Sequence, residues 1–191
     1  DNKEAVKKMT RHSISPSSYI LWPMMLGLMA VGESLIKILL TDKWLPSARM
    51  MQILCIGGAF LPINNLFSQL LLSRGHSSIY MWNTISLVIV QLITALLIYP
   101  LGIHTMVIAY VVINIAWLFI WNYFVHREIG YRLIDLLKDL FPYLFITVGI
   151  MAITSSATAN CTDIYMRFVA KIGMAASLYL IVMWLSGSVT F

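Results

Sequence analysis

The sequence predicts an all-α polytopic membrane helix bundle with six transmembrane helices. Three observations predict it. Of 191 residues, 60% are hydrophobic and 11% charged, with a mean hydropathy of +0.83; soluble domains carry about 25% charged residues, so a water-facing surface could hardly be built from this chain. Six apolar runs reach or approach the roughly 20 residues that a helix needs to cross the hydrocarbon core (range about 17–25). The runs lack the apolar/polar alternation of a barrel strand, so the spans are expected to be helices, which pair their backbone groups internally.

In order, the runs are residues 19–40, 48–73, 79–99, 102–125, 141–157 and 164–185. The second is long enough to tilt and the fifth is marginal in length. Pro23 and Pro142 are expected in first turns, where a missing N–H costs little, and Pro62 is expected to kink the second span from within. Before the first run lies the basic segment "KEAVKKMTRH", with Glu4 and Lys8 at i, i+4, suited to anionic headgroups. Between the fourth and fifth runs, "HREIGYRLIDLLKDLF" puts Ile129, Leu133, Leu136 or Leu137, and Leu140 on one helical face, as an interfacial amphipathic helix does. The chain therefore divides into a cytoplasmic basic segment (1–18), four transmembrane helices (19–125), an interfacial segment (126–140) and the last two helices (141–191). The opening "DNKEAVKKMTRH" has neither an initiator Met nor a small-residue cleavage site, so it reads as the interior of a longer protein.

Basic residues in the connections set the orientation. With the N-terminus inside, the cytoplasmic side holds Lys3, Lys7, Lys8, Arg11, Arg74, Arg127, Arg132 and Lys138, against Lys43, Arg49 and Arg167 outside. Both ends are then cytoplasmic. The net charge of +5 and pI of 9.3 come from these connections and not from a basic stripe interleaved with aromatics, which argues against nucleic acid as a partner. Cys55 and Cys161 belong to no CxxC or Cys/His cluster and read as two unpaired thiols. Asn160-Cys161-Thr162 fits a glycosylation acceptor, a short and weak pattern. No metal spacing, phosphate loop or nucleophile elbow is present, and His104 has no acidic or nucleophilic companion in its motif. The expectation is a chain without enzymatic activity, cofactor or metal, whose partners include the lipid bilayer.

Polar side chains within the spans are the candidate functional residues. A charge at the bilayer centre costs about 2.5–3.5 kcal/mol on insertion scales and is retained where it meets protein or water. Glu33 lies about 12 Å from the outer end of its span, too deep to reach the interface, and is expected in an interior, water-facing or paired position. Lys37 lies about 6 Å from that end and can snorkel; Glu33 and Lys37 at i, i+4 also have the favourable order for an ion pair. In the second span Asn65, Ser68 and Gln69 fall near one face, with Arg74 at the cytoplasmic end. That arrangement suits a polar cavity for hydroxyl-rich groups, or else interhelical hydrogen bonds of about 0.6 kcal/mol each. Gln91 in the third span and Asn114 in the fourth pose the same choice. Arg74 is first a topology determinant and second an anion ligand.

The order of these features resembles a known family. "WPMMLGLMAVGESLIKILLTDKWLPSARMMQILCIGGAFLPINNLFSQLLLSRGHSS" is similar to the C-terminal half of polysaccharide-type lipid-linked oligosaccharide flippases, the Wzx-like PST branch of the MOP exporter superfamily. The resemblance rests on Pro23, on Glu33-Ser34-Leu35-Ile36, on Lys43-Trp44, and on the helix end Leu71-Leu72-Ser73-Arg74-Gly75-His76. "YPLGIHTMVIAYVV" looks like the family's P-x-G-I-x-G opening of the next span, with His104-Thr105 where a small residue is usual. "IGYRLIDLLKDLFPYL" resembles the interfacial segment that follows, and the whole covers roughly residues 15–145.

The resemblance implies the C-terminal lobe of a MOP-type flippase in the bacterial cytoplasmic (inner) membrane. Such a protein moves an undecaprenyl-diphosphate-linked oligosaccharide to the periplasmic leaflet by alternating access, for O-antigen, capsule or exopolysaccharide biosynthesis. It further implies an N-terminal lobe of the same protein as partner, with a polysaccharide polymerase as another. On this reading Glu33 is a coupling-ion or proton site, Asn64, Asn65, Gln69 and Gln91 bind sugar hydroxyls, and Arg74 attracts the diphosphate. The alternative is a non-transporting membrane scaffold or subunit of a polysaccharide assembly complex, whose polar groups only hold helices together.

Overall fold

The computed structural model describes residues 3–131, 133–158 and 164–185. Among these the chain is all-α, with six helices: α1 (Lys3–Leu39), α2 (Leu45–Ser73), α3 (Ser77–Ile98), α4 (Ile103–Ile129), α5 (Leu133–Ala157) and α6 (Ile164–Leu185). Single 3₁₀ turns, Asp42–Trp44 and Tyr99–Leu101, precede α2 and α4. Four stretches are long and apolar enough to cross a membrane: Ile20–Leu39, Asp42–Ser73, Ser77–Leu101 and Ile103–Ile129, of 20, 32, 25 and 27 residues. In α5 and α6 the apolar stretches among the described residues, Leu144–Ala157 and Phe168–Tyr179, are shorter. Arg132 and Asn160-Cys161-Thr162 lie outside the described residues.

Two proline expectations are corrected. Pro23 does not open a helix, because α1 already runs from Lys3; Pro142 likewise follows more than two turns of α5. The segments ahead of both prolines are helical in their own right. A proline within a membrane helix is tolerated where neighbouring groups and local adjustment satisfy the freed carbonyl. Pro62 sits inside α2 as expected.

The chain forms two compact units, one from the described residues of 1–17 and 57–139, the other from those of 18–56 and 140–191. In the first, α2 presents Ala59, Ile63, Phe67 and Leu71 as one buried row at i, i+4 spacing. α4 answers with Val111, Asn114, Leu118, Trp121, Val125 and Ile129, the i, i+3, i+7 stripe of a helix buried on one face. These two helices run parallel. Gly57 meets Val111 near one end, the Asn64 side chain donates to the Asn114 carbonyl, and Arg74 reaches Glu128 near the other. The antiparallel α3 lies along α4, with Trp117 Nε1 donating to Asn83 Oδ1 at 3.1 Å and the rings of Tyr80 and Trp121 6.1 Å apart. Asn83 is the one buried residue of α3; its remaining face is apolar and exposed, as a lipid-facing helix requires. Gly130 ends α4 in the left-handed conformation (φ 70°), turning Tyr131 inward, where it is fully buried and edge-on to Phe67 at 6.1 Å.

In the second unit, Ile150 of α5 and Tyr179 of α6 centre a small core with Ile146, Ala175 and Leu178. α1 and α2 run antiparallel here. Gln52 Nε2 donates to the Met29 carbonyl at 3.2 Å, and Gly32 lies against the tip of Met51.

The contact of Gly57 with Val111 gives a test. A Cβ on Gly57 would stand 3.1 Å from Val111 Cγ2 and 3.2 Å from Cγ1, so Gly57→Leu is expected to destabilise by about 1–3 kcal/mol through overpacking. Unfolding by SDS titration in mixed micelles measures it, and a second change, Val111→Ala, is expected to recover part of the loss.

Candidate functional site

The polar residues of the first unit fall into two groups. At the α2–α3 connection the chain makes a Schellman turn: His76 N–H donates to Leu71 O and Gly75 N–H to Leu72 O, both at 3.0 Å, with Gly75 at φ 84°. These bonds satisfy helix-end carbonyls and need a residue free to adopt positive φ. The turn brings Arg74 and His76, on either side of Gly75, to one carboxylate. His76 Nε2 lies 3.0 Å from Glu128 Oε2, and Arg74 Nε 3.6 Å from Glu128 Oε1. The three side chains are partly exposed at 20, 39 and 28% for Arg74, His76 and Glu128. Arg74, the expected topology determinant and anion ligand, is therefore also a structural partner of the end of α4.

The second group lies deeper. Asn64 points at α4, its Nδ2 donating to Asn114 O at 3.3 Å, while Asn114 Nδ2 bonds the Tyr110 carbonyl within its own helix at 2.8 Å. Asn64 Oδ1 and Asn122 Nδ2 are buried and have no hydrogen-bond partner among the described residues. Such groups are rare, because desolvation without a partner costs about 1–3 kcal/mol. Asn65 and Gln69 are exposed, one turn apart on a stripe with Leu61 and Leu72; Ser68 is buried and bonded to the Asn65 carbonyl. The shared face read from the sequence therefore holds for Asn65 and Gln69 and fails for Ser68, which turns toward the buried row. Gln91 is half-buried elsewhere, lining a cavity of about 280 Å³ between α3 and α4 with Tyr110 and Met106.

In the second unit Glu33 is exposed on α1. Of the options for Lys37, the pair with Glu33 is not formed: Lys37 Nζ lies 3.8 Å from Asp42 Oδ1, because the turn after α1 brings that carboxylate back over the last turn of the helix. Two polar residues here escaped the sequence reading. Gln52 and Lys171 donate to consecutive carbonyls of α1, Met29 and Ala30, each at 3.2 Å. Lys171 is only 9% exposed. Its signal was a lysine seven residues into the sixth apolar run. Glu128 was also missed, since its partners lie more than fifty residues away and no local pattern links them.

A family model described as "Polysaccharide biosynthesis protein" matches residues 1–49. The match supports a polysaccharide biosynthesis protein family. It spans α1 and the start of α2, so Glu33 and Lys37 fall within it, whereas Asn64, Asn65, Gln69, Arg74 and Gln91 lie beyond it. No curated protein and no solved structure matches the chain.

The turn separates two contributions to stability. Glu128→Gln removes a partly exposed ion cluster and is expected to cost about 0.2–1 kcal/mol. Gly75→Val forces a β-branched residue into positive φ and is expected to cost more, about 1–3 kcal/mol. Comparing the two variants in the same SDS titration checks the order.

Proposed function

We propose that this chain is the C-terminal lobe of a polysaccharide-type flippase. It would move an undecaprenyl-diphosphate-linked oligosaccharide across the bacterial inner membrane by alternating access, with six spans and both ends in the cytoplasm. The observation that carries the reading is the exposure of Asn65, Gln69 and Glu33 on helices of membrane-crossing length. At 1.5 Å per residue, Asn65 sits about 12 Å from the end of α2 and Glu33 about 9 Å from the end of α1. Hydrocarbon offers such groups no hydrogen-bond partner, so the faces that bear them are made to meet water, substrate or another part of the protein. Two amides one turn apart can each bond a sugar hydroxyl. The family match supports a role in polysaccharide synthesis or transport.

In this mechanism Asn65 and Gln69 hold the saccharide by bonds that are exchanged for water on either side. Gln91 adds a contact, and Asn64 contributes its acceptor. Arg74, whose charge is shared with Glu128, draws the diphosphate to the cytoplasmic mouth. Glu33 changes its charge with a proton or coupling ion to bias the two access states. The Asn64–Asn114 and Asn83–Trp117 bonds favour a second reading, a non-transporting scaffold in which amides only join helices.

Export of surface polysaccharide by cells carrying the full-length protein decides between them. Losing two sugar hydrogen bonds in Asn65→Leu/Gln69→Leu is expected to lower export about tenfold at unchanged protein level in the membrane. Glu33→Gln is expected to block export. A scaffold leaves both variants at wild-type export, because neither residue joins helices.

A further inference from the structure

The α3–α4 hairpin is fastened in one half only. Toward the Ser77 end of α3, Trp117 bonds Asn83 and the Trp121 ring meets Tyr80. In steps of three and four residues the same faces continue through Leu87, Gln91 and Thr94 on α3, and through Ile113 and Tyr110 on α4. There the helices part around the cavity of about 280 Å³, a groove open on one side, with Ile103 lining its connection end. Gln91 stands seven residues before Ile98 and Tyr110 seven residues after Ile103, about 10 Å along each helix. In an antiparallel pair this puts the two side chains at one depth. The Gln91 amide and the hydroxyls of Thr94 and Tyr110 are the hydrogen-bonding groups of the lining, and among the described residues none of the three makes a hydrogen bond. Thr94 differs in this from Thr84, Thr105 and Thr154, each bonded to the carbonyl one turn back. The rest of the wall is alkyl surface, and none of the described lining side chains carries charge.

We infer that this groove is a second saccharide subsite, which takes one sugar ring through Gln91, Thr94 and Tyr110; the inference rests on the flippase reading above. A sugar ring carries hydroxyls at its rim, each both donor and acceptor, and C–H faces that suit alkyl and aromatic walls. An amide with two donors and an acceptor, beside two hydroxyls, complements that rim. Apolar walls with a few placed polar groups are the usual make-up of a small-molecule site, and a volume just under the roughly 300–1,000 Å³ of such sites limits the guest to about one ring. A phosphate finds no cation here to meet it. An acyl chain leaves all three polar groups without a partner, which an apolar environment penalises. Asn65 lies near the Arg74 end of its helix, whereas the groove lies near the α3–α4 connection, at the opposite ends of the spans. On the proposed orientation the amides of α2 therefore serve loading from the cytoplasm, and the groove serves release to the periplasm.

The test uses the full-length protein in a cysteine-free background, carrying Ala95→Cys in the groove or Leu101→Cys at the exposed connection. Cells that make the lipid-linked saccharide, and cells in which its first glycosyl transfer is blocked, are treated with N-ethylmaleimide. The Ala95→Cys thiol is expected to label when the saccharide is absent and to lose that labelling when it is made, while Leu101→Cys labels equally in both. Adding Gln91→Leu/Thr94→Val/Tyr110→Phe is expected to abolish the protection and to lower export about tenfold. These changes delete polar groups and keep the side chains apolar, so the protein level in the membrane is expected to hold; should it fall, the Ala95→Cys labelling decides alone. Equal labelling of Ala95→Cys in the two kinds of cell overturns the inference: if strong, the groove holds water only, and if absent, acyl chains cover it. Protection that persists in the triple variant overturns it as well. Lost export in Asn65→Leu/Gln69→Leu beside equal labelling of Ala95→Cys removes this subsite and leaves the flippase reading standing. Wild-type export in that variant removes the reading itself.

Discussion

Everything in this chain follows from the inability of hydrocarbon to hydrogen-bond. The backbone answers by closing into helices. Side chains answer in one of three ways. Thr84 and Thr154 bond the carbonyl one turn back in their own helix. Asn64, Asn83, Gln52 and Lys171 bond across helices. Asn65, Gln69 and Glu33 do neither, and they are exposed. Function is sought in the third class because the first two are already explained by the solvent.

The helices were legible because hydropathy is a property of the segment. An apolar run of membrane length has few other fates, and four such runs reappear as spanning-length helices. Their ends were less legible. A charged segment that precedes an apolar run looks like a separate element, yet nothing chemical stops a helix between Lys3 and Leu39. Proline suggested a start at Pro23 because its preference for first turns is statistical, whereas its tolerance within a membrane helix depends on neighbours that a linear pattern does not reveal.

The candidate site was partly legible. The offset between Asn65 and Gln69 is fixed by helical geometry, and so is that between Asn65 and Ser68; which of them faces inward depends on where α4 packs. Lys37 turned to Asp42 and not to Glu33 because the chain reverses within a few residues, a matter of backbone path. The Arg74–His76–Glu128 cluster joins a turn to the end of a distant helix, a relation absent from any local window. Lys171 was visible as a lone lysine in an apolar run, and what sequence withheld was the α1 carbonyl it meets.

The two bonds on consecutive α1 carbonyls have a further consequence. Successive carbonyls are rotated by about 100° around a helix of 3.6 residues per turn, so Gln52 from α2 and Lys171 from α6 take hold of α1 from different sides. Each uses the second lone pair of an oxygen that also serves the helix, and the helical donor to the Met29 carbonyl is the N–H of Glu33. A turn of α1 about its own axis would break both bonds together. The azimuth of Glu33 is therefore set by two residues on other helices, and its carboxylate cannot be re-aimed by rolling α1 alone.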